Sequence, residues 1–275
     1  MSKLPLGEKT PYIDKYDPTL LFPINRTPVR QQIGVAASFV FKGWDIWNCY
    51  EFCWLGVRGK PELRILEWAV SADSENIVES KSVKLYLNSF HNSKFASEDE
   101  VLHLLEKDLS AAVKAPVKIK MQKLESFEGR QLSGFKGRNI DEYDIEIDEF
   151  KLDKSLLKLT DQSQEIVERT LYSNLLKANC LVTGQPDWGS VQIIYKGREI
   201  DEASILKYLL SFRNHNEFAE PAAERIFTDL MNICKPQELT VYIRFTRRGG
   251  IDINPVRSTE NVDLKSVDNL RHVRQ

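Results

Sequence analysis

Two stretches of the chain carry one hydrophobic pattern. "SVKLYLNSF" (Ser82 to Phe90) and "SILKYLLSF" (Ser204 to Phe212) share Y-L-x-S-F in register, with Val83, Tyr86, Leu87, Phe90 and Ile205, Tyr208, Leu209, Phe212 at i, i+3, i+4 and i+7. That spacing lines one face of a helix with apolar side chains, so both read as amphipathic helices. Each precedes a second helical pattern. "SEDEVLHLLEKDLSAAV" opens on a Ser97/Glu100 capping box, and "PAAERIFTDLMNICK" places Pro221 at a first helical position. Strand-like runs flank each pair: "WDIWNCYEFCWL" and "ELRILEWAV" before the first and "PVKIKMQKL" after it, then "LLKANCLVTG" and "SVQIIYKG" before the second and "ELTVYIRFT" after it. Each half reads strand, strand, helix, helix, strand. The expected class is α+β, a mostly antiparallel sheet with two helices on one face of each half. The acidic, alternating "DEYDIEIDEFKLDKS" is a joining strand or a linker, which puts the boundary near residue 150 and divides the chain into 1–150 and 151–275.

Composition narrows the partners. With 275 residues and 42% hydrophobic content the chain can bury a sizeable core. Its 38 basic and 40 acidic residues leave a net charge of -2, so nothing draws the whole molecule to nucleic acid or to an anionic membrane. No apolar run approaches the ~20 residues of a membrane span, and "MSKLPLGEKTPY" lacks the apolar core of a secretory signal. A small-molecule partner and a cytoplasmic location are expected. Cys49, Cys53, Cys180 and Cys234 form no C-x-x-C pair, and His91, His103, His215 and His272 show no ligand spacing, so no metal site is expected. On one strand Cys49 and Cys53 would lie roughly 13 Å apart, too far for a disulfide. The aromatic stripe "GWDIWNCYEFCWLG" is read as core or sheet interface, without chemistry.

Three stretches go beyond packing. In "IVESKSVKLY", Lys81 and Lys84 at a helix amino terminus could hold a phosphate against the free amides, or Glu79 could simply complement the helix dipole. In "RFTRRGGIDINPVRS", arginine forks precede two glycines that let a phosphate approach the backbone, with Asp252, Asn254 and Pro255 as turn formers; a solvated turn or a loose RNA-binding tail has the same composition. No G-x-G-x-x-G opens a helix after a strand, which excludes a Rossmann mode for any dinucleotide. In "NCLVTGQPDWGSV", Cys180 is either a packed thiol at a strand end or a nucleophile whose acid is Asp187, brought back by the turn.

Together, "ESKSVKLY", "CLVTGQPDWG", "YLLSFRNHNEF" and "RRGGIDINP" resemble the NADPH-dependent 7-cyano-7-deazaguanine reductases of queuosine biosynthesis, in their longer two-module form. The resemblance implies two tandem tunnelling-fold modules and a homodimer in the cytoplasm. It implies that Cys180 adds to the nitrile carbon to give a covalent thioimide, that Asp187 protonates the nitrogen, and that NADPH supplies two hydrides. It carries substrate contacts to Val78, Glu79, Ser80, Ala219 and Glu220, with Glu220 on the guanine-like edge, and cofactor contacts to Ser80, Lys81, Arg248 and Gly249. The family's His-Glu pair is Ala219-Glu220 in this chain, so a histidine role is missing there; His215 is a conceivable substitute. Rival readings are a zinc-dependent pterin or GTP activity of the same fold, an amidine-forming enzyme acting on tRNA, and a nucleotide-binding module without catalysis.

Overall fold

In the computed structural model, which describes residues 13–36, 39–129, 131–160, 164–269 and 271–275, the elements run β1 (Pro23–Asn25), α1 (Arg26–Gln32), β2 (Lys42–Leu55), β3 (Pro61–Ser71), β4 (Asn76–Val78), α2 (Ser80–Ser89), α3 (Glu98–Val113), β5 (Val117–Gln122) and β6 (Arg138–Asn139). Then follow β7 (Ile166–Asn179), β8 (Pro186–Arg198), α4 (Glu202–Ser211), α5 (Ala219–Ile233), β9 (Glu238–Phe245) and β10 (Ile251–Ser258). The amino-terminal residues 1–12, expected to hold no secretory signal, lie outside the described residues. Among the described residues no helix is long and apolar enough to cross a membrane.

The mixed α+β expectation holds, with one addition. The two halves share a single eight-stranded sheet, ordered β5-β3-β2-β10-β9-β8-β7-β6. Every adjacent pair is antiparallel except β6 with β7. The seam is β10, which hydrogen-bonds β9 on one side and β2 on the other. This corrects the reading of Asp252, Asn254 and Pro255 as turn formers: all three lie within β10. The polar side chains obscured it, because Asp252 and Asn254 are buried through bonds to Asn48 and to each other. Pro255 fits because the ladder to β9 begins only at Val256, just past the ring nitrogen that has no hydrogen to donate.

Two apolar clusters fill the helix-covered side. One joins Trp47, Trp68 and Leu66 to Val83, Phe90 and Leu105, and the other joins Val191, Ile193 and Val241 to Ile205, Leu209 and Ile226. β2 and β7 each span 14 residues and each carries a bulge, between Cys49 and Phe52 and between Ser173 and Leu176. The extra residue shifts the two-residue alternation, so that Trp47, Cys49, Phe52 and Trp54 are all buried. The predicted first strand of the second half, 175–184, is therefore misplaced. β7 starts at Ile166, within a run whose polar residues hid the alternation, and it stops at Asn179, where Gly184 at φ +64° closes a turn. The segment "DEYDIEIDEFKLDKS" contributes no strand, ending in a single 3-10 turn at Lys154–Leu156.

The repeat runs deeper than the shared pentapeptide. Tyr86 donates to Asp108 Oδ2 at 2.8 Å and Tyr208 to Asp229 Oδ2 at 2.7 Å. Ser89 and Ser211 each donate to the tyrosine carbonyl three residues back and accept from an entering amide, Asp17 N–H and Asp153 N–H respectively. Asp17 and Asp153 in turn cap matching 3-10 turns. The Ser97/Glu100 box caps α3, with Glu100 reaching Ala96 N–H. Pro221 is the third residue of α5 rather than its first, within the opening turn whose amides lack partners in any helix.

Beneath the seam lies a buried ion cluster that no motif signalled. Arg257 of β10 bonds Asp45 Oδ1 of β2 at 2.8 Å and Glu224 Oε1 of α5 at 3.0 Å. Arg26 and Arg30 of α1 reach the same Glu224, and Arg26 also pairs with Asp45. Burial alone would raise the Asp45 pKa, but Arg257 and Arg26 outweigh it and hold the carboxyl below its ordinary value. The cluster ties both halves to each other where β10 crosses.

Gly43, the second residue of β2, lies at φ +126°, and a Cβ there would sit 2.0 Å from the Val256 carbonyl oxygen. Gly43→Ala is expected to lower stability by on the order of 2–4 kcal/mol through strain and overpacking, measured as a fall in the urea midpoint. An unchanged midpoint would mean that β10 does not lie this tightly on β2.

Candidate active site

The β7–β8 hairpin ends in the turn Cys180–Gln185. Cys180 N–H donates to the Gln185 carbonyl at 2.8 Å and Gly184 N–H to the Cys180 carbonyl at 3.0 Å. Held this way, the turn aims donors at the sulfur. Burial pushes the thiol pKa up, but the hydroxyl and amide of Thr183, the amide of Val182 and the Arg248 guanidinium hold it below the ordinary thiol value. Hydrogen bonding to the charged form outweighs desolvation here. Cys180 is 9% exposed and lines a narrow cleft.

Asp187 is the second residue of β8, opposite Ala178 in the ladder, and lines the same cleft. Burial raises its pKa, and Arg248, Lys84 and Lys177 pull it back only in part. Arg248 stands on the turn between β9 and β10. Its Nε lies 2.8 Å from Asp187 Oδ1 and its Nη2 donates to Oδ2 at 3.2 Å, a forked carboxylate pair. Two hydrogen bonds close the backbone beneath it. Arg248 and Ile251 exchange both amide bonds across Gly249 and Gly250, whose φ values of +58° and +79° are those of a type I′ turn. A Cβ on Gly249 would also lie 3.0 Å from Lys84 Nζ, so the turn comes close to α2.

Lys84 comes from α2 of the first half, one helical turn after Ser80, and also lines the cleft. Burial and then Arg248 lower its pKa, against Glu79, Asp187 and Cys180, which favour its charge. Glu79 itself does not line the cleft. It caps α2, its two carboxylate oxygens accepting from Lys81 N–H at 2.9 Å and Ser82 N–H at 2.7 Å. Those amides are therefore engaged, and the second of the two sequence readings of E-S-K-S describes this end of the helix. Val78 and Ser80 line the cleft; Lys81 is half-buried outside it.

The opposite wall is the start of α5. Phe218, Ala219 and Glu220 line the cleft, with Ala219 as the first helical residue. Glu220 is buried, and burial followed by the nearby Asp45 charge pushes its pKa up to about 8, Arg26 and Arg257 opposing. The ion cluster under the seam thus forms the floor beneath Glu220. His215 lies outside the lining and faces Glu217, Nε2 to Oε2 3.4 Å, while Glu217 takes a forked bond from Arg225. In this arrangement the imidazole does not replace the missing side chain at position 219. Asp45, Arg26 and Arg257 went unnoticed in the sequence; the one available signal was a lone aspartate inside the aromatic run "GWDIW".

Residues 12–121 match the family described as nitrile reductase, 7-cyano-7-deazaguanine-reductase N-term, and residues 186–263 match the QueF-like protein family. A protein of Burkholderia orbicola named NADPH-dependent 7-cyano-7-deazaguanine reductase is 50% identical over 98% of both chains. Proteins of the same name from Paraburkholderia phymatum and Cupriavidus pinatubonensis are 49% and 50% identical over 98% of both chains.

The raised Glu220 gives a stability prediction. Its pKa is about 8 folded against an ordinary 4.5, so its contribution is complete below pH 4.5 and is lost as the pH rises through about 8. Glu220→Gln removes that loss. The melting temperature of the variant relative to the parent is expected to rise between pH 5 and pH 9, and a constant difference would contradict the buried, proton-holding carboxyl.

Proposed function

The chain belongs to the family of the NADPH-dependent 7-cyano-7-deazaguanine reductases, and on that premise we propose that it reduces the nitrile of 7-cyano-7-deazaguanine to the aminomethyl group, with NADPH as reductant. The observation that carries this reading is the pairing of Cys180 and Asp187 across one cleft, the thiol lowered and the carboxyl raised from their ordinary values. Those opposite shifts narrow the gap between a thiol and a carboxylic acid, which makes exchanging a proton between them less unfavourable.

Cys180 Sγ attacks the nitrile carbon, a sulfur–carbon bond forms, and one π pair moves onto nitrogen. Asp187 delivers the proton that this nitrogen takes up. The net change is thiol plus nitrile giving a thioimide, so the thiol proton ends on nitrogen and Asp187 returns to its ionised state. NADPH, when bound, supplies hydride to the carbon now activated by sulfur. The residues present suit its phosphates: Arg248 and Lys84 offer two cations, and Gly249, at φ +58°, keeps the turn free of a side chain beside them. Ser80, on the same wall, and Lys81, at the head of α2, complete the cofactor side. Glu220 accepts the two parallel N–H donors of the guanine-like edge, and Val78 packs against the base.

An ionised Glu220 is required for that recognition, so ligand binding is expected to expel a proton near neutral pH. Ala219 offers only a methyl where the family carries histidine, and turnover is correspondingly reduced. The paired Tyr–Asp bonds, matched bulges and matched 3-10 turns support two tandem tunnelling-fold modules meeting near residue 150. By family membership the working form is a cytoplasmic homodimer acting on a small molecule without nucleic acid.

Incubation with 7-cyano-7-deazaguanine alone is expected to add one ligand mass to the protein, and Cys180→Ala to abolish the gain; no gain in the parent would overturn the thioimide. Ala219→His is expected to raise NADPH oxidation severalfold. An unaltered rate would show that position 219 has no part in turnover.

A further inference from the structure

We propose that Lys177 and Asn179 are positioning residues, a polar strut that ties the end of the hairpin bearing Cys180 to the segment delivering Ala219 and Glu220, and so sets the attacking sulfur against the nitrile. The proposal rests on the reading of Cys180 as the nucleophile. Neither residue lines the cleft, and both act through residues that do.

The contacts are direct. Asn179 is the last residue of β7, and Cys180 follows it. Asn179 N–H donates to the His215 carbonyl at 2.8 Å, and the Asn179 carbonyl accepts from Glu217 N–H at 3.0 Å, which makes a single parallel bridge to Asn216. Side chains repeat the tie. Lys177 Nζ donates to Asn179 Oδ1 and to the Arg213 carbonyl, each at 2.6 Å, and Asn179 Nδ2 donates to Asn216 Oδ1 at 3.1 Å. The span from Arg213 to Glu217 is thus held against the hairpin, and it runs straight into Phe218, Ala219 and Glu220 on the cleft wall. α5 has need of such a hold, because its N-cap, Phe218, makes no side-chain bond to the opening amides.

The internal repeat separates this strut from the requirements of the fold. β2 ends at Leu55 as β7 ends at Asn179, each three residues beyond its bulge, after Phe52 and Leu176. Leu55 N–H donates to the Ser93 carbonyl and the Leu55 carbonyl accepts from Phe95 N–H, both at 2.9 Å, so the backbone bridge is common to the two halves. The side-chain bonds are not. Leucine offers no polar side-chain atom, and Cys53, at the place of Lys177, makes one long contact, 3.8 Å to His91 Nδ1. The helix after that bridge, α3, starts from the Ser97/Glu100 box instead. A fold that closes its first half with cysteine and leucine does not require lysine and asparagine in the second, and these stand in the half that carries the thiol. A nucleophile and a bound base on separate elements react at a rate set by their alignment, and ~1 Å of misplacement costs up to about a hundredfold.

Lys177 is also one of the cations facing Asp187, so Lys177→Met mixes charge with position. Asn179→Leu separates them: it installs the residue of the first half, keeps the backbone bridge and leaves Lys177 on the Arg213 carbonyl. Adduct formation between the full-length protein and 7-cyano-7-deazaguanine is followed by mass against time, without NADPH, over a series of nitrile concentrations. Asn179→Leu is expected to lower the limiting rate roughly tenfold, with the half-saturating concentration nearly unchanged. Lys177→Met should lose at least as much, and the double variant should be little slower than Lys177→Met alone, since both remove one interaction. Iodoacetamide alkylation of Cys180, which needs no alignment with a base, should keep its parental rate in Asn179→Leu. A parental limiting rate in Asn179→Leu, a loss confined to the half-saturating concentration, or alkylation slowed as much as the adduct would overturn the strut while leaving the thioimide standing. Absence of any adduct in the parent would sink the thioimide, and the proposal with it.

Discussion

The arrangement depends on β10 being hydrogen-bonded on both edges. A strand contributed by the carboxy-terminal half pairs with β2 of the amino-terminal half over Ile251–Ser258 and with β9 of its own half over Val256–Ser258. A sheet with an unpaired edge at that point would expose a row of amides and carbonyls. Completing the row brings the first half's helix α2 over the open end of the second half's β7–β8 hairpin. Lys84 and Ser80 then face Cys180 and Asp187 across one cleft, although roughly a hundred residues separate them. Neither half holds the set alone.

The same seam sets the electrostatics on both walls. On one side Arg257, at the far end of β10, gathers Asp45 and Glu224 into a buried cluster with Arg26 and Arg30, and this cluster leaves Glu220 next to one negative charge with its cations largely committed elsewhere. On the other side the turn leading into β10 presents Arg248 to Asp187 and Cys180. A thiol, two carboxyls and a lysine, all partly desolvated, have pKa values displaced in directions that suit their proposed tasks. Burial is the largest cause for the two carboxyls and the lysine, and at the thiol Thr183, Val182 and Arg248 together outweigh it.

Much of this was legible from pattern. Apolar residues at i, i+3, i+4 and i+7 located α2 and α4, the Ser97/Glu100 box located the start of α3, and alternation located most strands. The misses share a cause. β10 reads as a turn because Asp252, Asn254 and Pro255 are turn formers by habit, whereas the fold buries the two polar ones, Asp252 accepting from Asn48 and Tyr50 and Asn254 donating to Asp252. β7 was misplaced because a bulge resets the two-residue period halfway along it, and periodicity read over a short window takes the reset for an end. Repetition of the second kind, the Tyr86–Asp108 and Tyr208–Asp229 bonds and the paired serines, lay in residue pairs too far apart in the chain for a local pattern to register.

Spacings of a few residues set the helices, their apolar faces and the doubled order of elements, whereas Cys180, Asp187 and the arginine-glycine turn are singled out from their alternatives only through the family resemblance. Folding alone makes Glu79 cap a helix instead of lining the cleft, turns His215 toward Glu217 and away from position 219, and brings Arg248 onto Asp187 in the cleft that Cys180 also lines. Each of those outcomes turns on which groups meet across the β10 seam and how far water is excluded between them. Distance and desolvation are properties of the folded chain, and the order of its residues does not contain them.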